Sequence, residues 1–139
     1  MKRTTALLLI FLFAASFRLF SQQASITIIN KSDRDLTIKI MKGSEKKFTF
    51  FVSDHVGPRG KQVIYFSEPG RYFTKSQAIL ESKDTLMRDT LYSKGNPFMV
   101  IADKKRGYSN ITMKYTVKES KKPVQEGLIA ITRKEYLEN

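Results

Sequence analysis

The chain has 139 residues, one histidine and no cysteine, which excludes disulfides, thiol chemistry, thiolate metal sites and a zinc site built from several histidines of one chain. Its 25 Lys+Arg against 13 Asp+Glu give a net charge of +12, and 41% of its residues are hydrophobic, too many for a wholly disordered chain. So basic a balance points to anionic partners and leaves the fold open.

Lys2 and Arg3 precede the apolar run Ala6–Ala15. A positive start followed by a short apolar core is the pattern of a secretory signal peptide, and the run is well short of the about 20 residues that span a membrane. Residues 1–21 are read as the signal peptide, with the mature chain starting at Gln22. With Lys2, Arg3 and Arg18 removed, the mature chain keeps 22 basic against 13 acidic residues, a net +9. Its basic character therefore belongs to the domain that folds. The expected location is periplasmic, cell-surface or extracellular, and a lipoprotein anchor is excluded because it needs a cysteine.

The mature chain then alternates short β-prone runs with turn clusters. Ser25–Asn30 is β-branched and reads as a first strand. Leu36, Ile38 and Ile40 alternate with Thr37, Lys39 and Met41 in a second. Lys42–Lys47 has hairpin length, with Gly43 available for positive φ. Phe48–Val52 is a third strand, and Ser53–Gly60, with two glycines and a proline, reads as a loop. Lys61–Ser67 resumes the strand pattern. Ser67-Glu-Pro-Gly70 suits a type II turn, and Arg71–Leu80 follows as a strand. Asp84–Tyr92 alternates poorly and fits an edge strand or a wandering segment.

Phe98–Ala102 is apolar throughout, which suits a strand covered on both faces. Ser109–Ser120 carries the clearest signal. Ile111, Met113, Tyr115 and Val117 share one parity; Thr112, Lys114, Thr116 and Lys118 share the other. That is period-two alternation, one face in a core and one in water. A hairpin of Pro97–Ala102 with Tyr108–Ser120 is the economical pairing. Leu128–Arg133 reads as the last strand and Lys134–Asn139 as a polar tail. Eight or nine strands, regular turn spacing and no convincing helix predict an all-β fold, a small antiparallel β-sandwich formed by residues 22–139 as one domain.

Glu68-Pro-Gly70-Arg-Tyr72 resembles the acidic-x-Gly-x-Tyr corner of immunoglobulin-like domains. The resemblance implies a tyrosine hydroxyl bonded to backbone near the corner. Thr74 stands where an antibody-type domain has its second cysteine, and the chain has no tryptophan.

No catalytic constellation accompanies the strands. His55 sits beside Asp54 without a nucleophile motif, and Glu68, Asp84, Asp89, Asp103, Glu119 and Glu126 lie near turns or on exposed parities, so a small hydrolase is the least favoured reading and no cofactor is expected. Asn30-Lys-Ser32 and Asn110-Ile-Thr112 match the N-linked acceptor pattern, and Asp84-Thr-Leu86 and Asp89-Thr-Leu91 resemble an O-linked one. The persistent feature is loop-borne basic charge: Lys46 and Lys47, then Lys104, Lys105 and Arg106 beside Tyr108, then Lys121 and Lys122. Alternate loops of a sandwich gather at one end, so two or three of these clusters are expected to share one positive patch, and these residues are the candidate site for an anion or a partner. The function expected is a non-enzymatic interaction module for another protein or a cell-envelope complex. Its alternative is a binder of anionic glycan or lipid headgroups, and sequence-specific nucleic-acid reading is not expected.

Overall fold

The computed structural model describes residues 22–81 and 88–139; the signal-peptide reading of residues 1–21 and the Asp84-Thr-Leu86 acceptor pattern lie outside them. In chain order the elements are β1 (Ser25–Asn30), β2 (Asp35–Gly43), β3 (Phe48–Val56), β4 (Lys61–Tyr65), β5 (Gly70–Glu81), β6 (Arg88–Lys94) and β7 (Phe98–Val100). They continue with β8 (Ala102–Asp103), β9 (Gly107–Tyr108), β10 (Asn110–Tyr115), β11 (Val117–Lys118), β12 (Val124–Gln125), β13 (Ile129–Ala130) and a helix, α1 (Arg133–Leu137). The fold is all-β, cut into more and shorter strands than the turn spacing predicts.

A three-stranded sheet runs β10-β1-β4, and a larger one runs β13-β6-β5-β2-β3, with β7 pairing the first residues of β5. Period-two patterning explains both. Ile26 and Ile28 of β1 and Leu36, Ile38 and Ile40 of β2 are all at most 1% exposed. They join Ile64, Phe66, Tyr72, Ala78, Val100 and Tyr115 in one hydrophobic cluster fed by both sheets. Burial of each such side chain stabilises the fold by about 1.5–3 kcal/mol.

Several expectations are corrected. Pro97–Ala102 does not form a hairpin with Tyr108–Ser120: β7 pairs β5, while β10 pairs β1 in parallel, with Ile26 opposite Ile111 and Ile28 opposite Met113. The two runs meet just at their near ends, through Ala102 opposite Tyr108 and the Ile101–Ser109 bonds, in which Ser109 N–H donates to the Ile101 carbonyl at 2.8 Å and Ile101 N–H to Ser109 Oγ at 2.7 Å. Phe98–Ala102 is not covered on both faces either, because Met99 is 62% exposed and Ile101 is exposed as well. The chain also does contain a helix. The Thr132 hydroxyl accepts from the Glu135 N–H and the Glu135 carboxylate accepts from the Thr132 N–H, a capping box that starts α1 where a polar tail was expected. Similarly, Ser53–Val56 extends β3 instead of forming a loop, and the last strand shrinks to β13.

The register defines two ends. β2, β4, β6 and β7 run upward and β1, β3, β5 and β10 downward. The turns after β2, β4 and β8 therefore lie at the upper end, and those after β1, β3 and β11 at the lower. The lower end is tied by two buried polar groups. Asn30 Nδ2 donates to the carbonyls of Arg34, Val56 and Gly57 at 2.7, 3.3 and 3.0 Å, locking the β1–β2 turn to the β3–β4 turn. An acceptor-pattern asparagine so engaged is a structural residue. Arg34, with a side chain 0% exposed, donates through Nε and Nη2 to both oxygens of Glu119, at 2.9 and 3.1 Å, and through Nη2 to Asp89 Oδ2 at 2.8 Å.

Candidate functional site: the basic upper end

Three turns build the upper end. In the β2–β3 turn, Gly43 takes φ +123° and the Ser44 and Lys47 backbones bond reciprocally at 3.0 and 3.2 Å. In the β8–β9 hairpin, Asp103 Oδ1 accepts from the Lys105 N–H at 2.7 Å and Oδ2 from Arg106 Nε at 3.2 Å. The Lys105 backbone bond, helped by Arg106, holds the Asp103 carboxyl below the usual carboxylate range. In the β4–β5 turn, the Tyr72 hydroxyl donates to the Glu68 carbonyl at 2.7 Å, the bond that the corner resemblance implies. The Tyr72 ring is 0% exposed and packs among Phe51, Phe66 and Phe98.

The charge at this end is sorted by these turns. Glu45 pairs with Lys94 at 3.1 Å, Glu68 with Lys42 at 2.8 Å and Asp103 with Arg106 at 3.2 Å. Lys46, Lys47, Lys104 and Lys105 are exposed, and none of them forms an ion pair among the described residues. Each acid of these three turns is thus occupied by a cation, and exposed lysines without an ion pair stand on two hairpins. Around them Met99 and Tyr65 are exposed by 62% and 61%. Tyr65 lies at the upper tip of β4, opposite Ser25, and Met99 lies opposite Arg71.

The structure brings Lys46, Lys47, Lys104, Lys105, Arg106 and Tyr108 to one end. Tyr108 is half-buried there, and Arg106 is engaged by Asp103. Lys121 and Lys122 do not join them. They sit in the β11–β12 turn at the opposite end, where Ser120 Oγ accepts from the Lys122 N–H. Convergence of the three basic loops is therefore limited to two. His55 is not oriented by Asp54, whose carboxylate accepts from the His55 backbone N–H and from Gln62; the imidazole instead lies 3.4 Å from Asp35 on β2. Asp89 and Glu119 share the Arg34 guanidinium. No group of three or more His, Asp or Glu among the described residues is placed to hold a metal ion, and no described helix is long and apolar enough to cross a membrane.

Sequence reasoning missed a second basic array. Lys39, Lys75 and Lys94 are register neighbours across β2, β5 and β6, and α1 lies over them. Phe73, Phe48 and the 0%-exposed Met41 form a small apolar patch on the same face, outside the main cluster. No protein-family model matches the chain, and comparison with curated protein sequences finds no match.

Proposed function

We propose that the protein is an exported, non-enzymatic β-sandwich module of immunoglobulin-like type that docks a protein partner or an envelope complex through its upper end. For the fold, support comes from the shared core of the two sheets and from the Tyr72–Glu68 corner bond. For the function, one observation carries the reading: the acids of the three upper turns are paired with cations, leaving four exposed lysines at the same end as exposed Met99, Ile101 and Tyr65. Charge steers association, and apolar area next to it supplies the desolvation energy typical of protein interfaces. Anionic glycan and lipid headgroups would use the lysines and leave Met99 and Ile101 in water.

The test is capture from native envelope extract with the wild-type mature chain and with K46E/K47E/K104E/K105E. Wild type retains one defined protein partner at low salt and releases it as ionic strength rises, and the charge-reversed chain recovers far less. Equal recovery by both chains overturns the reading. Recovery of polysaccharide or lipid in place of protein transfers the site to the anionic-polymer alternative.

A further inference from the structure

The two sheets do not close equally on their two sides. At the β3/β4 side Phe51 stacks on Phe66 with ring centroids 5.9 Å apart. On the β10 side a cavity of about 150 Å³ opens between the sheets, lined by Ile26, Ile111 and Met113 of the smaller sheet and by Phe98, Leu128 and Thr74. Ile26 and Ile28 are 1% and 0% exposed, yet Ile111 and Met113 beside them in register are only half-buried. A space of this size holds one benzene-sized apolar group.

Beside the cavity runs a strand edge without a partner strand among the described residues, where β10 pairs β1 alone. Ser109 O accepts from Ser25 N at 2.9 Å and Tyr115 O from Lys31 N at 2.8 Å, so in this parallel ladder the odd-numbered peptide groups face β1. Those of Asn110, Thr112 and Lys114 point out of the sheet. The edge lacks proline, and its one charged residue is Lys114. Both ends of it are basic: exposed Lys104 and Lys105 above, exposed Lys118, Lys121 and Lys122 below. Six residues of strand separate them by about 20 Å, more than the about 8 Å over which salt screens charge, so each cluster acts on its own end of whatever lies along β10.

We propose that β10 accepts an added strand from a protein partner, a segment acidic at both ends with an apolar side chain between them that enters the cavity. This rests on the docking reading above and names the partner's chemistry. Backbone pairing holds the segment, the cavity reads its central side chain, and the flanking lysines read its ends. A second copy of this chain is the wrong occupant, because pairing β10 with β10 in either direction sets lysine clusters against lysine clusters.

The probe is a fluorescein-labelled peptide, Asp-Glu-Thr-Val-Leu-Thr-Val-Asp-Glu, titrated into the mature chain by anisotropy. Binding is expected, with slowed amide exchange at Thr112 and Lys114. It weakens roughly tenfold or more when the central Leu is replaced by Gly, or when alternate peptide amides are N-methylated. T112P removes an outward N–H that β1 does not use and weakens binding similarly; the N-methylated peptide asks the same question of the unaltered protein if T112P fails to fold. An absence of binding to wild type, or N-methylated peptide binding as well as the parent, overturns strand addition. Lysine-dependent capture of an envelope partner together with that result would leave the upper-end reading standing, whereas strand-type peptide binding with no effect of K46E/K47E/K104E/K105E on envelope capture would remove that reading instead.

Discussion

Lys39 and Lys75 stand directly opposite each other on β2 and β5, and both ammonium groups are drawn to the same end of α1. Lys75 Nζ donates to the Glu135 and Glu138 carbonyls at 2.6 and 2.8 Å, and Lys39 Nζ donates to the Tyr136 carbonyl at 3.1 Å. Like charges directly opposite on a sheet are unfavourable. The carbonyl end of a helix, carrying the negative pole of its dipole, offsets this. Tyr136 adds its ring, 4.6 Å below Lys39 Nζ and 5.3 Å from Tyr92. A five-residue helix has no stability of its own, so α1 depends on this clamp together with the Thr132–Glu135 capping box.

Replacing Lys75 by Met keeps the stem against Phe48 and deletes both carbonyl bonds. Removing the charge also relieves repulsion by Lys39 and Lys94, so global stability should move by less than about 1 kcal/mol. The helix should undock. Charge-assisted bonds worth about 1.5–3 kcal/mol in total predict tryptic cleavage at Arg133 and Lys134 faster by roughly 10–100-fold. Cleavage at the wild-type rate would show that Lys75 does not hold α1.

Tyr72→Phe isolates the corner. The ring stays in its cluster with Phe51, Phe66 and Phe98, and only the bond to the Glu68 carbonyl is lost. The expected loss is about 1 kcal/mol, seen as a fall in Tm of about 3–6 °C, with far-UV circular dichroism unchanged. An unchanged Tm would mean that the hydroxyl is equally well served by water and that the turn is set by Pro69 and Gly70 alone.

Local alternation was readable wherever both partners of a pattern lie within one strand. Leu36 to Ile40, and Ile111 to Tyr115, face the core as their parity predicts, because period two is a property of a single extended chain. Pairing was not readable in the same way. β10 finds β1 in parallel across most of the chain, against the hairpin that proximity favours. Arg34 looks like a turn residue, yet it is buried because Asp89 and Glu119 arrive from 55 and 85 positions away. The row Lys39–Lys75–Lys94 exists only once three strands are in register. The start of α1 was different: Thr132-Arg-Lys-Glu135 is a capping-box pattern in plain sequence, hidden because the helix after it is too short to show a period. The same limit applied to the candidate site. The basic loops were visible, but which of them share an end depends on strand direction.

The cap of α1 makes its docking sensitive to acid. The Thr132 backbone N–H, and then its hydroxyl, hold the Glu135 carboxyl below its ordinary 4.5. A depressed carboxylate contributes stability that is fully present above the unfolded value and is lost as pH falls through the folded one. Lys75 and Lys39 shift the other way in charge terms: burial lowers both below 10.5, so the unfolded chain binds more protons there and raising pH toward 10 does not weaken the fold through them. Release of α1 is therefore expected as pH falls below that ordinary value, with no matching release as pH rises above neutral. Amide exchange at Tyr136 across that range measures it. Glu135→Gln keeps an acceptor for the Thr132 N–H without a titrating proton, and in that variant the acid limb should flatten. An acid limb that persists in Glu135→Gln would show that the helix cap is not its source.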